Sequence, residues 1–456
     1  MSDQFNTLNL NDNLLKNLEE LEFHSMTPIQ QQGLPIVLAG KDVIAQAKTG
    51  SGKTAVFGLG ILNSLDMSSL KVQSLILCPT RELAEQVAKE IRMLARMMKN
   101  IKVLTLCGGV QEIHQEKSIL HGAHIIVGTP GRTFSFLKSQ LLNLDEVKMF
   151  VLDEADRMLD MGFHEDIMHI ESFVPKNRQT MLFSATFPDK IDELSKDVLT
   201  NPESIKVDTE HAEDIIEEIF YKVSTHQDKN DALLKVLNFY RPERLIVFCK
   251  TKQIVDSVTK LLNKNNIHAA GIHGDIKQND RTAVLTMFSN QSLSVLVATD
   301  VAARGLDIKE LPAVINLDLT NDPEVYVHRI GRTGRAGHTG LALSFFVEEN
   351  DYKLVEIEEL TGKDCHVESI NTIMESSPYS LIPPMETVFI SGGKKNKLRP
   401  GDIVGAFVNE LKLSADMVGD INIGSVNSYV AIKRNELPDD INHIMIKKKK
   451  FRIGFA

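Results

Sequence analysis

Tryptophan is absent from the 456-residue sequence, aromatic residues make up 6% of it, and cysteine occurs 4 times. The cysteines are Cys78, Cys107, Cys249 and Cys365, and no two of them have CxxC spacing. This spacing argues against zinc sites and disulfide frameworks, which need paired or closely placed cysteines. It fits a chain that works in a reducing compartment, and we expect a cytoplasmic location.

Long apolar runs are also missing. The longest run without a charged residue, 282–299, is broken by the polar stretch 289–292, so it is not typical of a membrane span. Hydrophobic residues at 43% and charged residues at 25% are ordinary for a chain that folds around apolar cores. The length predicts about three domains at roughly 150 residues each. We expect a monomer with no membrane partner.

An overall basic charge is missing as well. The net charge is −10, which argues against a chain that binds nucleic acid over its whole surface. The charge is uneven, however, because residues 385–456 hold 12 basic and 8 acidic residues, a net of +4. The rest of the chain has a net charge of −14. The C-terminal residues therefore form a compositionally separate, basic unit.

Short apolar runs alternate with helix-length segments through the first 365 residues. Six runs lie in the first half, at 42–45, 74–78, 103–106, 124–127, 149–152 and 181–183. Five follow in the second half, at 244–248, 268–271, 294–297, 313–317 and 341–345. Runs that are apolar on both faces and separated by helices are typical of parallel sheets covered by helices. We therefore predict two α/β domains in tandem.

The domain boundaries are predicted from composition. The polar, acidic stretch 208–214 indicates a first linker, and 369–384, which ends in Ile382-Pro383-Pro384, indicates a second. The predicted order is domain 1 at 1–208, linker 209–214, domain 2 at 215–368, linker 369–384 and a C-terminal domain at 385–456.

A glycine-rich loop follows the first predicted strand and precedes a helix-length segment. It reads Ala47-Lys48-Thr49-Gly50-Ser51-Gly52-Lys53-Thr54. The backbone N–H groups of such a loop close around phosphates, and the following helix N-terminus favours the anion. In this pattern Lys53 reaches the β and γ phosphates, and the Thr54 hydroxyl binds Mg²⁺. The loop predicts an ATP–Mg²⁺ site, although Ala47 stands where the general pattern has glycine.

Two further motifs carry the groups that hydrolysis needs. Asp153 and Glu154 follow the predicted strand 149–152, where Asp153 can hold Mg²⁺, partly through water, and Glu154 can activate the attacking water. Arg332 and Arg335 lie in a glycine- and arginine-rich segment of the second domain. Guanidinium groups stabilise the charge on a transferring phosphoryl group, so hydrolysis would require the two domains to close.

Together these motifs resemble those of the DEAD-box RNA helicases, and the resemblance extends over essentially the whole chain. It implies two RecA-like domains and ATP-dependent activity on RNA. Phe5, Phe23 and Gln30 resemble the family's adenine-reading Q motif, although Glu22 and Met26 depart from its usual glycine and proline. By the same resemblance, Gly305 and Asp307 contact the nucleotide. The resemblance also implies that Ser184 and Thr186 couple the ATP state to strand separation.

The resemblance also implies a set of RNA contacts in the two α/β domains. They are Arg81, Gly109, Thr129, Arg132, Arg281, Thr299 and Arg304. Arginines suit phosphates, and small residues allow backbone N–H groups to approach RNA closely. The scarcity of aromatic residues favours contact with the RNA backbone over base stacking.

The C-terminal residues predict a small RNA-binding domain. The predicted order is βαββαβ, with helices at 403–411 and near 437–445, which is typical of an α+β RRM-like domain. Its aromatic RNP1 sequence is absent, so basic loop residues are expected to bind RNA instead. They are Lys394, Lys395, Lys397 and Arg399. For Lys447 to Lys450, RNA contact and a solvated terminus stay equal alternatives.

Segment 392–402 resembles the auxiliary domain of a bacterial subgroup of this family. That resemblance implies binding to a hairpin of large-subunit (50S) ribosomal RNA and a role in ribosome assembly on large-subunit precursors. The alternative is a general RNA chaperone or RNP-remodelling clamp without ribosomal RNA specificity. The intact catalytic set argues against a clamp without turnover. A DNA helicase is disfavoured by the Q motif and the Asp-Glu-Ala-Asp sequence.

Overall fold

The computed structural model describes residues 3–47, 50–109, 111–187, 189–207, 216–303, 311–334, 339–374, 376–438 and 441–456. Within them the chain forms two parallel-sheet α/β domains and a C-terminal domain with an antiparallel sheet, which confirms the predicted fold class. In this described part of the chain, no helix combines the length and apolar character needed to cross a membrane.

The first domain is built on a parallel sheet. Its strands are β1 Val43–Gln46, β2 Ser74–Leu77, β3 Val103–Leu106, β4 Ile125–Gly128, β5 Met149–Asp153, β6 Gln179–Ser184 and β7 Glu203–Lys206. Its helices are α1 Asp12–Glu20, α2 Pro28–Leu38, α3 Lys53–Ser64, α4 Arg81–Leu94, α5 Glu112–Leu120, α6 Pro130–Lys138, α7 Ala155–Asp160, α8 His164–Ser172 and α9 Asp189–Val198. All six predicted strands are present, and β7 is an additional edge strand.

The order of strands in this sheet, β3-β4-β2-β5-β6-β1-β7, divides the predicted motifs into two groups. The glycine-rich loop, the acidic tetrapeptide and the Ser184–Thr186 segment follow β1, β5 and β6, which are neighbours. The predicted RNA residues follow β2, β3 and β4, which are also neighbours. Since the carboxyl ends of parallel strands meet at one edge of a sheet, the topology gathers each group into one place.

The second domain repeats this architecture. Its strands are β8 Ile216–Lys222, β9 Leu245–Phe248, β10 Ala269–Ile272, β11 Val295–Ala298, β12 Ala313–Asn316, β13 Gly340–Phe346 and β14 Val367–Ser369, in the order β10-β11-β9-β12-β13-β8-β14. Its helices are α10 Asp228–Tyr240, α11 Lys252–Lys264, α12 Gln278–Ser289, α13 Asp300–Ala303, α14 Pro323–Ile330 and α15 Asp351–Thr361. All five predicted strands are present, β8 and β14 were not predicted, and the predicted linker 209–214 lies outside the described residues.

The C-terminal domain differs from the predicted RRM order. Its elements are β15 Met385–Ile390, α16 Pro400–Glu410, β16 Val418–Ile423, β17 Ser428–Lys433, β18 His443–Ile446 and β19 Lys449–Phe455. The antiparallel sheet has the order β16-β17-β15-β19-β18. The predicted helix near 437–445 is wrong, because β18 and β19 form a hairpin there. Residues 437–438 and 441–446 are described and contain no helix, and His443, Ile444, Met445 and Ile446 form β18.

The C-terminal domain packs against the second domain. The side chains of Asn290 and Thr387 are buried and exchange two hydrogen bonds, at 2.8 and 3.2 Å. In the segment predicted as the second linker, the Tyr379 hydroxyl donates to the carbonyl of Pro242 at 2.9 Å. Leu381 of this segment forms a parallel bridge with Ile267. The segment is therefore held along domain 2 at several points.

Candidate nucleotide and RNA sites

The glycine-rich loop owes its shape to two glycines. Gly50 and Gly52 have φ angles of 85° and 92°, in the left-handed region that favours glycine, and α3 begins directly afterwards at Lys53. A Cβ atom on Gly52 would lie only 2.5 Å from Nε2 of Gln30. The loop therefore depends on glycine at this position for both its backbone angle and its close contact. Lys48 and Thr49 lie outside the described residues.

The predicted adenine-reading segment is attached to this loop. The Gln30 amide donates to the carbonyl of Gly52 at 3.1 Å, and the Thr27 hydroxyl donates to the carbonyl of Ser51 at 2.8 Å. The Gln30 amide oxygen accepts from the backbone N–H of Thr27 at 2.9 Å, which completes a capping box at the start of α2. The side chain of Gln30 thus connects the two motifs in this structure.

Phe5 and Phe23 lie together beside the same segment. Their ring centroids are 6.1 Å apart in an edge-to-face arrangement, and Phe5 is buried. The backbone N–H of Met26 donates to the carbonyl of Asp3, which brings the N-terminal residues to this position. The structure therefore brings Phe5, Phe23 and Gln30 into one region.

Lys53 and Asp153 form the buried centre of the site. The Lys53 ammonium lies 3.2 Å from Oδ1 of Asp153, and both side chains are buried. Burial alone would lower the pKa of Lys53, but the carboxylates of Asp153, Glu154 and Asp156 outweigh it and raise that pKa. Burial raises the pKa of Asp153 against the opposing effect of Lys53. The pair thus sits beside the buried carboxylates of Glu154 and Asp156, with Arg157 as a second buried cation nearby.

These residues fit a magnesium ion bound together with a nucleotide. Both carboxylate oxygens of Asp153 are buried, and Oδ1 faces the ammonium of Lys53 at the end of the glycine-rich loop. Thr54 is partly exposed at the start of α3. The described residues contain no group of three His, Cys, Asp or Glu side chains placed for a metal. Mg²⁺ would therefore take its other oxygens from phosphates and water, which is its usual preference.

Glu154 stands at the junction of β5 and α7 with an unusual backbone. Its φ and ψ are both 54°, in the left-handed region, which is uncommon for a residue other than glycine. Its Oε2 lies 2.6 Å from Nη1 of Arg157, and both side chains are buried. The left-handed backbone and the ion pair together fix the direction of this carboxylate.

Asp156 connects the acidic tetrapeptide to the Ser184–Thr186 segment. Its Oδ2 accepts hydrogen bonds from the backbone N–H groups of Ala185 and Thr186, both at 3.0 Å. The Ser184 hydroxyl donates to the carbonyl of Thr186 at 2.6 Å. The sequence prediction named Ser184 and Thr186 but gave no role to Asp156, which holds them beside the acidic residues.

The RNA residues of domain 1 gather at the carboxyl ends of β2, β3 and β4. Gly109 has a φ of 70°, and a side chain there would collide with the guanidinium of Arg81. Nε and Nη1 of Arg81 are buried without a hydrogen-bond partner in the described residues. Thr129 is the residue before α6, and Arg132 in its first turn lies 3.4 Å from Glu112. The structure brings all four predicted residues to one half of the sheet edge.

In domain 2, Arg281 lies on α12 and donates to the carbonyl of Ala302 at 2.9 Å, beside the end of β11 where Thr299 stands. Arg332 is buried just after α14. Its neighbour Arg329 is a structural residue, since it forms a two-pronged ion pair with Asp300 at 2.6 and 2.8 Å. Four predicted site residues of this domain lie outside the described residues. They are Arg304, Gly305, Asp307 and Arg335.

The basic loop of the C-terminal domain is held in a defined shape. Residues Lys394–Asn396 form one turn of 3-10 helix, and the backbone N–H groups of Lys394 and Lys395 donate to the carbonyls of Gly424 and Ser425, both at 2.9 Å. All four predicted cations of this loop are exposed. They are Lys394, Lys395, Lys397 and Arg399. The loop therefore presents several positive charges on a fixed backbone.

Three family models match the chain in the order of its domains. They are the DEAD/DEAH box helicase at 27–194, the helicase conserved C-terminal domain at 228–337 and the DbpA RNA binding domain at 387–454. The chain is 47% identical over 431 residues to the ATP-dependent RNA helicase DbpA of Escherichia coli (strain K12), which covers 94% of each protein. The chain belongs to the DEAD-box family of ATP-dependent RNA helicases.

Other relatives agree with this assignment of the helicase. The chain is 44% identical over 359 residues to the ATP-dependent RNA helicase CshA of Limosilactobacillus reuteri, and the alignment covers 78% of this chain and 72% of that protein. The solved structure of S. cerevisiae Dbp5 bound to RNA and ADP BeF3 has a TM-score of 0.74 and 31% identity. The superposition covers 81% of this chain and 96% of the Dbp5 chain. The predicted family, the bacterial subgroup and the ATP-dependent helicase activity are confirmed.

Proposed function

We propose that the C-terminal domain directs this ATP-dependent RNA helicase to a hairpin of large-subunit ribosomal RNA during assembly of the large ribosomal subunit. The observation that carries the proposal is the exposed basic loop 394–399, which lies in the segment matched by the DbpA RNA binding domain. The related protein of E. coli is named an ATP-dependent RNA helicase, and it aligns with this chain over 94% of its length. A general RNA clamp without this preference is the competing outcome.

The rigidity of the basic loop supports specific rather than diffuse binding. Gly393 has no room for a side chain, because a Cβ atom there would collide with the carbonyl of Gly424. The amide of Asn396 accepts from the N–H of Gly393 at 3.1 Å and closes the turn from the other side. A loop that is already ordered loses little conformational entropy when it binds a structured RNA.

The contact between the C-terminal domain and domain 2 supports targeting of the motor. Asn290, which exchanges hydrogen bonds with Thr387, is the residue that follows α12, and α12 also carries Arg281. An RNA held by the basic loop would therefore have a defined position relative to Arg281 and Thr299. Such an arrangement would couple recognition of one RNA element to engagement of a neighbouring strand.

For ATP hydrolysis we assign roles to this chain's own residues. Lys53 and the loop 47–54 would hold the phosphates, Thr54 and Asp153 would hold Mg²⁺, and Glu154 would accept the proton of the attacking water. Bound Mg²⁺ would neutralise charge on the β and γ phosphates. Arg332 and Arg335 would stabilise the charge that develops on the transferring phosphoryl group. Asp156 would transmit the state of the site to Ser184 and Thr186.

In the first domain, RNA phosphates would be bound by Arg81, whose buried nitrogens have no partner within the described residues, and by Arg132. Gly109 and Thr129 would bring backbone N–H groups close to the RNA. In the second domain Arg281, Thr299 and Arg304 would do the same. We place this activity in the cytoplasm, and the four unpaired cysteines are in keeping with a reducing compartment.

The proposal is tested by replacing the four loop cations with glutamine in the full-length protein. RNA-stimulated ATP hydrolysis is then measured with a ribosomal RNA fragment containing the hairpin and with a scrambled RNA of equal length. The preference for the ribosomal fragment should disappear, while ATP hydrolysis at saturating scrambled RNA should stay unchanged. A matched control replaces Lys412 and Lys433, exposed cations elsewhere in the same domain. A loop variant that keeps the preference would favour the general clamp.

A further inference from the structure

The hairpin of β18 and β19 has two chemically different faces. One face is apolar and buried in the core of the C-terminal domain, and consists of Ile444, Ile446, Phe451 and Ile453. The other face is exposed and consists of His443, Met445, Lys450 and Arg452. The strand register places His443 opposite Arg452 and Met445 opposite Lys450. The open face therefore carries two cations, Lys450 and Arg452, on the same strand.

The turn of this hairpin is made of lysines in an unusual conformation. Lys447 and Lys448 have φ angles of 51° and 62°. Two successive residues in the left-handed region form the tight turn that best matches the twist of a hairpin, and asparagine and glycine are the usual residues there. Lysine has no backbone advantage at either position. Its presence at both points to a use for the side chains.

Lys447 joins the hairpin to the basic loop. Its ammonium donates to the carbonyl of Lys397 at 2.9 Å and forms an ion pair with Asp402 at 2.6 Å. Asp402 also accepts from the backbone N–H of Arg399 at 2.8 Å, at the start of α16. Loop and hairpin are therefore held side by side. Both segments carry exposed cations, and Lys447 is the contact between them.

The remaining charges of the hairpin are available to a ligand. The side chains of Lys448, Lys450 and Arg452 take part in no ion pair within the described residues. Further across the same sheet face, β15 meets domain 2 through Thr387 and Asn290. The part of the sheet face on β18 and β19 is thus left open, next to the loop that carries the other cations.

We propose that the open face of this hairpin, with Lys448, Lys450 and Arg452, is a second RNA-contacting surface that binds phosphates of the RNA held by the basic loop. The inference rests on the proposed function in one respect, namely that the C-terminal domain binds RNA. Exposed lysine and arginine side chains suit contact with the phosphates of the RNA backbone. This surface therefore adds affinity without sequence preference, whereas the loop provides selection.

The test compares two full-length double variants, Lys450→Gln with Arg452→Gln, and Lys412→Gln with Lys433→Gln as control. Affinity for a fluorescein-labelled hairpin RNA is measured by anisotropy over a series of salt concentrations. Each lost phosphate contact lowers the slope of log affinity against log salt by about 0.7 to 0.9. The hairpin variant should therefore lose about 1.5 from this slope for RNA of any sequence, and the control should keep the slope of the unmodified protein.

A charge-preserving variant, Lys450→Arg with Arg452→Lys, separates charge from folding, and it should keep the full slope. Equal slopes for the hairpin variant and its control would overturn the proposal. A reduced slope of log affinity against log salt in the charge-preserving variant would also overturn it, because the effect would then come from side-chain shape and not from charge. The experiment is independent of ribosomal specificity, since the scrambled RNA serves equally well. Loss of preference in the basic-loop variant tests the proposed function alone.

Discussion

At the scale of single residues, Glu154 combines a catalytic assignment with a buried ion pair. Replacing Glu154 with glutamine removes the proton acceptor but keeps an oxygen that can face Arg157, which is 2.6 Å away. We expect the turnover rate to fall by about 10²- to 10⁴-fold, because this is the usual contribution of a positioned general base. ATP and RNA affinities, measured by fluorescence anisotropy, should stay close to those of the unmodified protein.

The matched control for this prediction is Glu171→Gln. Glu171 is also a buried glutamate paired with an arginine, since its Oε1 lies 2.8 Å from Nη2 of Arg178. It stands on α8, outside the proposed site, so its loss should lower the melting temperature without a comparable loss of turnover. Strong RNA-stimulated hydrolysis by the Glu154 variant would show that another group activates the water.

A comparison of alanine substitutions at Gly52 and Gly40 separates the effect of a steric clash from the effect of backbone strain. Alanine at position 52 would meet Nε2 of Gln30 at 2.5 Å and would also have to adopt a φ of 92°. We expect Gly52→Ala to displace the Gln30 amide and to weaken ATP binding at least tenfold, measured with a fluorescent ATP analogue. Gly40→Ala is the control, because Gly40 has a φ of 76° but nothing within 4 Å of the added carbon. It should cost about 1 kcal/mol of stability and leave ATP affinity unchanged.

Asp318 makes the stability of domain 2 dependent on pH. Burial alone would raise its pKa, but the ion pair with Lys229 at 2.8 Å and the N–H of Lys250 lower it below the ordinary 3.8. A lowered pKa in the folded state gives stability that is present above the unfolded value and is lost as the pH falls through the folded value. Asp318→Asn should therefore lower the free energy of unfolding by roughly 3–5 kcal/mol at pH 7.

Hydrogen exchange of the amides in β9 and β12 reports this free energy at several pH values. The difference between the unmodified protein and the Asp318 variant should be full at pH 7 and should shrink below pH 4. Asp228→Asn is the control, since Asp228 is exposed and bonded to Thr225 instead of a buried lysine. A difference that does not change with pH would contradict the assignment.

At the residue scale, the sequence indicates a site where a motif is contiguous, but it does not indicate the contacts between motifs. The strand–loop–helix pattern around Lys53 predicts a phosphate site because all its parts are neighbours in the chain. The hydrogen bonds of Gln30 to Gly52 and of Asp156 to Thr186 join residues 22 and 30 positions apart. Such pairs depend on the order of strands in the sheet, which a single sequence does not specify.

At the scale of elements, burial on both faces made the central strands predictable. β2, β4, β5 and β6 are buried along their whole length, and each coincides with an apolar run of the sequence. The strands that were not predicted lie toward sheet edges and carry polar residues. Glu218 in β8, for example, accepts a hydrogen bond from Tyr326 at 2.5 Å. Partial exposure removes the apolar signal, so these strands resemble linkers in the sequence.

The incorrect helix near 437–445 has a similar cause. The four residues of β18, from His443 to Ile446, alternate between exposed and buried, which is the period of a strand. A run of four residues is too short to establish this period against the general RRM order. The lysines at the turn gave no hairpin signal, because asparagine and glycine are the residues that normally mark one.

The contact between β15 and the end of α12 holds the C-terminal domain against domain 2, and its contribution can be tested directly. Asn290→Ala would leave the buried Thr387 hydroxyl without its partner, at a cost of about 1–3 kcal/mol. We expect the C-terminal domain to separate from domain 2 more often, so that limited proteolysis at 376–384 becomes faster. Adding Thr387→Val removes the unpaired hydroxyl and should recover part of the lost stability. Unchanged proteolysis in both variants would show that other contacts hold the domain.

At the scale of the whole molecule, the net charge differs in sign between the two helicase domains and the C-terminal domain. The residues before 385 have a net charge of −14, and their proposed RNA contacts are a few placed arginines, whereas residues 385–456 have a net charge of +4. A negatively charged surface repels RNA wherever those arginines are absent, so we expect RNA to bind these domains only at the proposed arginine contacts. The basic C-terminal domain supplies long-range attraction. The average of −10 describes neither part.

This division predicts how the helicase should respond to salt and to loss of its C-terminal domain. Removing residues 385–456 should weaken RNA binding and reduce its salt dependence, because most of the freely exposed cations proposed to contact phosphates are then gone. ATP affinity without RNA should stay unchanged, since Lys53, Asp153 and Gln30 all lie in the first domain. The ratio of ATPase stimulation by ribosomal and scrambled RNA should approach one. Replacing Asn290 with serine in the truncated chain would reduce the effect of exposing its buried amide. A truncated protein that still prefers ribosomal RNA would place selection in the motor itself.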